Sequence, residues 1–167
     1  MLCGIVCNAC LITMPAAQRI GLISDTHGLL RPEAVAALQG CSAILHAGDV
    51  GAPEILQALA ALAPLHAIAG NIDIAPWAAA LPPTRDLVIA GVRIHMLHDL
   101  KTLAPDVQAD VIVSGHSHKP LVHTRAGVLY VNPGSAGRRR FSLPISVGTL
   151  WLGDGAPRAE LCVLDAR

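Results

Sequence analysis

The sequence predicts a single α/β domain built from two packed sheets with flanking helices. Three observations predict it. In the first half, short continuous apolar runs alternate with helical patterns of about ten residues, which is how βαβ units read when their strands are buried on both faces. In the second half helical patterns are scarce, and apolar runs separated by tight turns suggest mainly antiparallel strands. Finally, 53% of the 167 residues are apolar, much of that share alanine, and only 14% are charged. A typical domain carries about 25% charge, so this chain can fill a core, and a chain of this length buries roughly 70% of its unfolded surface.

The elements follow in order. Residues 20–24 form an apolar run ended by the turn-rich Asp25-Thr26-His27-Gly28, and Pro32-Glu33 then leads a helical pattern closed by Gly40. A second strand covers residues 43–47. Pro53-Glu54 opens a helix whose Ile55, Leu56, Leu59 and Leu62 form one apolar stripe, and a third strand covers residues 65–69. After Trp77 the pattern changes. Residues 87–97 read as a hairpin turning at Gly91, residues 111–113 as a buried strand, and residues 121–124 and 128–131 as two more. Residues 147–152 and 159–164, joined by Gly153-Asp154-Gly155, close the chain as a hairpin. No charge block, long linker or fixed-period repeat interrupts the sequence.

Seven residues able to ligate metal stand where apolar runs stop: Asp25, His27, Asp49, Asn71, His98, His116 and His118. Five separate strands would each deliver one or two of them at a carboxyl end, where open α/β sheets gather their sites. Carboxylate, amide and imidazole donors without thiolate suit borderline or hard divalent ions, and two such ions sharing a carboxylate activate water against phosphorus. Each block alone is ordinary: Asp-x-His occurs in many loops, and Gly48-Asp49 and Gly70-Asn71 are common turn dipeptides. His116 and His118, with Gly115 before them, are more telling, because two imidazoles one residue apart can reach neighbouring coordination positions. Together and in this order, the blocks point to a two-metal site.

The ordered set Ser24-Asp25-Thr26-His27-Gly28, His46-Ala47-Gly48-Asp49, Gly70-Asn71, His98, Gly115-His116-Ser117-His118 and Asn132-Pro133-Gly134-Ser135 resembles the calcineurin-like metallophosphoesterases, in particular their small bacterial and archaeal phosphodiesterase branch. The resemblance implies an αββα sandwich of two mixed β-sheets. It also implies a metal-dependent phosphoesterase acting on phosphodiesters or small phosphate esters by in-line attack of a hydroxide shared between two cations. Asp25, His27 and His118 would hold the first ion, Asn71, His98 and His116 the second, and Asp49 would bridge them, with Asp49, Asn71 and His98 closest to the chemistry. Manganese is the expected metal, with iron, zinc, nickel or cobalt as alternatives. Two departures stand out. Larger relatives carry a histidine directly after Gly-Asn as a leaving-group acid, whereas this chain has Ile72 and then Asp73. The small branch usually follows its fifth-block histidine with glycine, and here His98 is followed by Asp99, an outer partner for an imidazole or a group that crowds the cleft.

The remaining polar residues divide by position. His46, His66, His95 and His123 lie inside strands and read as structural, with His46 near enough to Asp49 to support it. Asn132 and Ser135 edge the site in the resembling family, and Arg138, Arg139 and Arg140 form the one charge run, either a solvated loop or a guanidinium fork for phosphate. Zero formal charge and four aromatic residues advertise neither nucleic-acid nor membrane binding. The five cysteines favour a reducing compartment and a cytoplasmic home. Cys3, Cys7 and Cys10 have the spacing of radical iron–sulfur enzymes but precede any βα scaffold. Residues 1–18 read as an N-terminal extension, a start-site artefact if translation opens at Met14, and residues 19–167 as the single domain. The rival expectation is a scaffold of the same fold acting through protein–protein contacts; the low charge also leaves room for a homo-oligomer.

Overall fold

Two five-stranded mixed sheets pack face to face in the computed structural model, which describes residues 17–140 and 142–164. The expectations for Cys3, Cys7 and Cys10 fall outside the described residues. The strands are β1 (Gln18–Ile23), β2 (Ala43–His46), β3 (Leu65–Ala67), β4 (Thr84–Ile89), β5 (Val92–Leu97), β6 (Val111–Val113), β7 (Leu121–Arg125), β8 (Val128–Asn132), β9 (Ser146–Leu152) and β10 (Arg158–Val163). The helices are α1 (Pro32–Leu38) and α2 (Pro53–Ala60). One sheet has the order β10-β9-β1-β2-β3 and the other β4-β5-β6-β8-β7.

Burial explains the layers. Ile20, Leu22 and Leu45 from the first sheet interlock with Ile94, Met96, Val111 and Val113 from the second, all essentially without solvent exposure. Truncating one such leucine to alanine costs about 2–5 kcal/mol. The outer face of the first sheet, with Ile23 and Ile44, is covered by Ala34, Leu38, Ile55 and Leu59 of the two helices. Each helix starts with proline in its first turn followed by glutamate, where a missing N–H costs nothing and negative charge faces the helix dipole. Beyond the second sheet there is no α-helix among the described residues. Leu100, Leu103 and Val107, on a connection containing one 3₁₀ turn, pack over Ile112 instead.

The sandwich and its strands match the sequence expectation. The second half is mainly antiparallel in its pairings, β4 with β5, β7 with β8, and β9 with both β10 and β1, but β5, β6 and β8 at the centre of the second sheet run parallel to one another. The crossover from β5 to β6 is an irregular segment rather than a helix, so it leaves no βαβ periodicity in the sequence. Parallel β1, β2 and β3 are the counterpart in the first sheet. As a result, six strands release their loops at one end of the molecule.

Candidate metal centre

The loops at that end are bonded to one another before any side chain is considered. The Asp25 and His27 N–H groups donate to the Gly48 and Asp49 carbonyls, each at 3.0 Å, and Gly115 N–H donates to the His98 carbonyl at 3.0 Å. These contacts hold the chain in left-handed conformations. Asp25 (φ 54°), His27 (46°), Asp49 (55°), His116 (64°) and His118 (57°) all take them, although none is glycine. Such angles cost about 1–2 kcal/mol per residue and are tolerated only where surrounding structure enforces them. Close approach adds a second constraint: a Cβ on Gly70 would collide with the Asp49 N–H and carboxylate, and one on Gly48 would come within 2.7 Å of His98 Nδ1.

Side chains from both sheets converge there. His118 Nε2 lies 3.2 Å from Asp25 Oδ1, His27 Nε2 3.8 Å from the same oxygen, and the two Nε2 atoms are 3.3 Å apart. Metal–ligand bonds of about 2.1 Å place neighbouring donors roughly 3.0–3.5 Å apart; two of the three separations fall in that range and the third, His27 to Asp25, is slightly longer. Asp25, Asp49 and His98 form a second group whose ligand atoms lie within 4.8 Å of one another. Asp49 Oδ2 stands 3.3 Å from His98 Nε2 and 3.6 Å from His27 Nε2, between the groups.

The donors suit a cation in their spacing, and Asp49 and His27 suit it in their protonation as well. His98 Nδ1 lies 2.7 Å from the Ala47 carbonyl, which fixes the tautomer and leaves Nε2 to face the centre. His98 Nε2 and Asp25 Oδ1 are buried without a hydrogen-bond partner, a costly state for polar atoms that a cation relieves. Burial pushes the Asp49 carboxyl up, but His98, the Ile72 N–H and the His27 charge more than offset it and hold the group at about 2. Burial lowers His27, with Arg140 and His118 acting in the same direction. Burial also lowers His98, but Asp49 and the Ala47 carbonyl outweigh that and raise it. Neither cysteine among the described residues belongs to the centre: Cys41 is in the apolar core under α1, and Cys162 is exposed on β10.

Two expected ligands are placed less tightly. His116 is 41% exposed, its ring edge-on to His98 with centroids 5.2 Å apart. Asn71 is exposed, held between Gly70, which touches Asp49, and Ile72, whose N–H donates to Asp49 Oδ1 at 3.1 Å. Asp99 approaches His116 rather than His98, with Oδ2 3.8 Å from His116 Nε2. Of the arginines, the charge of Arg140 is felt at His27, and Arg138 is exposed on the same loop as Arg139.

Supporting residues surround these. Asn132 is buried, donating to the Gly115 carbonyl (2.6 Å) and Ser117 Oγ (3.1 Å) while accepting from Gly134 N–H (2.9 Å). Ser135 donates to the Asp25 carbonyl at 2.9 Å. Both therefore direct their polar atoms at the ligand loops. His46, fully buried, accepts from Gly48 N–H and meets Thr26 Oγ1 at 3.0 Å, and burial pushes it down to about 4. Asp73 is the residue the sequence reading underrated. Its buried carboxylate accepts N–H bonds from Val50 (3.0 Å), Gly51 (2.9 Å) and Gly70 (2.9 Å), tying the Asp49 loop to the Asn71 loop. The one signal for it was a lone acid in the apolar stretch 72–78.

Comparison with known proteins identifies a family and a fold. A model of the calcineurin-like phosphoesterase superfamily domain matches residues 19–155. A probable metallophosphoesterase from Methanothermobacter thermautotrophicus is 37% identical over 131 residues, 70% of this chain and 76% of that protein. A solved structure described as a novel archaeal phosphodiesterase superposes with a TM-score of 0.70 at 20% identity, covering 87% of this chain and 100% of that one. Vacuolar protein sorting 29 from Cryptosporidium parvum superposes with a TM-score of 0.71 at 20% identity, covering 87% and 97%. At such identities the two structures speak to the fold alone.

Proposed function

This chain belongs to the calcineurin-like phosphoesterase superfamily, and from that premise we propose that it hydrolyses phosphodiesters by in-line displacement at the seven-residue centre. Asp25, His27 and His118 would hold one divalent cation, Asn71, His98 and His116 would hold a second, and Asp49 would be their shared ligand. The observation that carries this reading is the position of Asp49 Oδ2, 3.6 Å from His27 Nε2 and 3.3 Å from His98 Nε2, as a shared ligand requires. Two bound cations, manganese before iron, zinc, nickel or cobalt, supply Lewis acidity toward phosphoryl oxygens and lower the pKa of water toward neutrality.

The chain's own residues do the rest. His98, fixed by the Ala47 carbonyl, presents its free nitrogen toward the centre, and Asn71 offers a neutral amide to a phosphoryl oxygen. Arg140, whose charge reaches His27, draws an anionic ester to the same end of the sandwich, with Arg138 and Arg139 beside it. The side chain that follows Asn71 is the aliphatic Ile72, which cannot protonate a departing alkoxide. The leaving oxygen therefore takes its proton from water, and rate depends on leaving-group acidity.

The test is direct. The manganese-loaded protein binds two ions per chain and turns over bis(4-nitrophenyl) phosphate much faster than the corresponding phenyl ester; equal rates on the two esters contradict the missing acid. A second reading, a scaffold of this fold, is favoured by Ile72 and Ile74, which are 42% and 89% exposed beside Asn71. Two ions bound without turnover of any ester support that alternative. The expected location is the cytoplasm, and among the described residues no helix is long and apolar enough to cross a membrane.

A further inference from the structure

The outer face of the second sheet is covered incompletely. The connection carrying Leu100, Leu103 and Val107 shields Ile112, but between that connection, the loop of His116 and Lys119, and strands β7 and β8 there remains a cleft of about 600 Å³. Small-molecule sites commonly span about 300–1,000 Å³. The cleft starts at His116, so anything bound at the metal centre can extend into it.

Its lining is specific in three respects. One wall is a pair of rings, His123 and Tyr130, paired across β7 and β8 and stacked with centroids 4.9 Å apart and planes 15° from parallel. Leu100 and Leu121 add apolar surface, Leu121 being 47% exposed. Lys101 and Lys119 both line the cleft, exposed, and among the described residues neither takes part in an ion pair. Asp99 is the one acid in the lining. It stands 3.8 Å from His116 and accepts the Lys101 N–H at 3.0 Å, so the far part of the cleft keeps a positive balance.

We propose that this cleft holds the ester group that is not displaced, and that this group is a nucleoside bearing a further phosphate. The inference rests on the phosphodiesterase reading for the position of the scissile phosphate. A flat heterocycle matches the His123–Tyr130 wall and the apolar floor, because stacking on an aromatic side chain tolerates any base. The second phosphate matches two ammonium groups better than any neutral ester would. None of the three arginines of the 138–140 loop is needed for this contact, since Arg140 acts on His27, in the other group of donors.

Three esters sharing one leaving group test it: methyl 4-nitrophenyl phosphate, thymidine 5′-(4-nitrophenyl phosphate) and its 3′-phosphorylated derivative. In each, water attacks phosphorus, the bond to nitrophenolate breaks and the retained ester remains. Expected kcat/KM rises roughly tenfold at each step of the series, the scale of one stacking or charge-assisted contact. Lys101→Ala/Lys119→Ala removes the second step, His123→Ala reduces the first, and neither changes the methyl ester. All three side chains are exposed, so the variants fold. Calorimetry of thymidine 3′,5′-bisphosphate with metal-free protein gives a reading independent of turnover: saturable binding, weakened at least fivefold in the double lysine variant. Binding without hydrolysis of any ester supports the cleft and sinks the phosphodiesterase reading. Hydrolysis with equal rates along the series, or variants that slow all three esters alike, overturns the cleft.

Discussion

The two ends of the sandwich use the same unusual backbone angles for different reasons. At the end where β5 and β8 begin, Ala90 and Ala126 take φ of 50°, each followed by a left-handed glycine, Gly91 or Gly127. These are two-residue hairpin turns whose geometry is set locally by the twist of the paired strands. At the opposite end Asp25, His27, Asp49, His116 and His118 adopt similar angles, but no hairpin requires them. They are imposed by bonds to other loops and by Asp73, Asn132 and Ser135 beneath. Left-handed residues in the turns reflect connectivity, while those at the carboxyl ends reflect a site assembled against local preference. Changes at the two ends should therefore differ in kind.

The largest effect belongs to Asp49→Asn. The amide keeps the shape and loses one charge at the point between the two donor groups, so metal content falls by one or both ions and turnover drops more than 100-fold. Outer partners of metal ligands alone are worth about 10–100-fold. Circular dichroism of the metal-free protein stays close to wild type, so the fold survives. Retained turnover would falsify the bridging role and reduce the site end to ordinary loops.

Gly70→Ala should come next. Its φ is not left-handed, so the glycine is required by proximity: a Cβ there would strike the Asp49 backbone and carboxylate. The Asp49 loop must move, and metal affinity, read by titration against a chelator, weakens by about 10–100-fold while the core between the sheets is untouched. Unchanged affinity would mean that the close approach of these loops does not position Asp49.

How much of this the sequence revealed follows from the same distinction. The strands were legible because residues such as Leu22, Leu45, Met96 and Val113 are buried inside continuous apolar runs, and the candidate ligands were legible because each interrupts such a run. The parallel arrangement of β5, β6 and β8 was hidden, since the irregular β5–β6 connection carries no helical period. Asp73 was hidden for another reason. Its partners Val50, Gly51 and Gly70 belong to two other loops, and a carboxylate that works on backbone N–H groups leaves no side-chain motif. The left-handed angles were equally invisible at the ligands, where nothing but tertiary contact demands them.

Acid exposes the supports of the site end more gently. His46 is held at about 4 by burial in the folded chain and titrates near 6.5 when unfolded. Between those values the unfolded chain binds more protons, so the contribution is complete above about pH 6.5 and declines as pH falls toward 4, by about 3 kcal/mol in all. Asp49, held at about 2, has its window lower: its contribution is present above about pH 4 and is lost as pH falls toward 2. Urea unfolding of chelator-treated protein should show the first decline between pH 6.5 and 4, markedly smaller in His46→Gln, where only the lowered His27 and His66 remain to contribute. A flat stability across that interval in wild type would mean that His46 is not the neutral brace of Gly48 and Thr26.

The smallest effect lies at the hairpins and gives the comparison its sharpest control. Alanine at a left-handed position is strained by about 1–2 kcal/mol, and glycine there relieves the strain at a cost in chain entropy of about 0.5–1 kcal/mol. Ala90→Gly and Ala126→Gly should each stabilise the protein by up to about 1 kcal/mol, raising Tm by about 2–4 °C, with kcat and metal content unchanged. The same relief is not open to His27 or His118, because the side chain that glycine would remove is the one facing Asp25. If either hairpin variant lowers activity, the two ends are coupled through the parallel strands that join them, and the left-handed ligands can no longer be explained by contacts within their own loops.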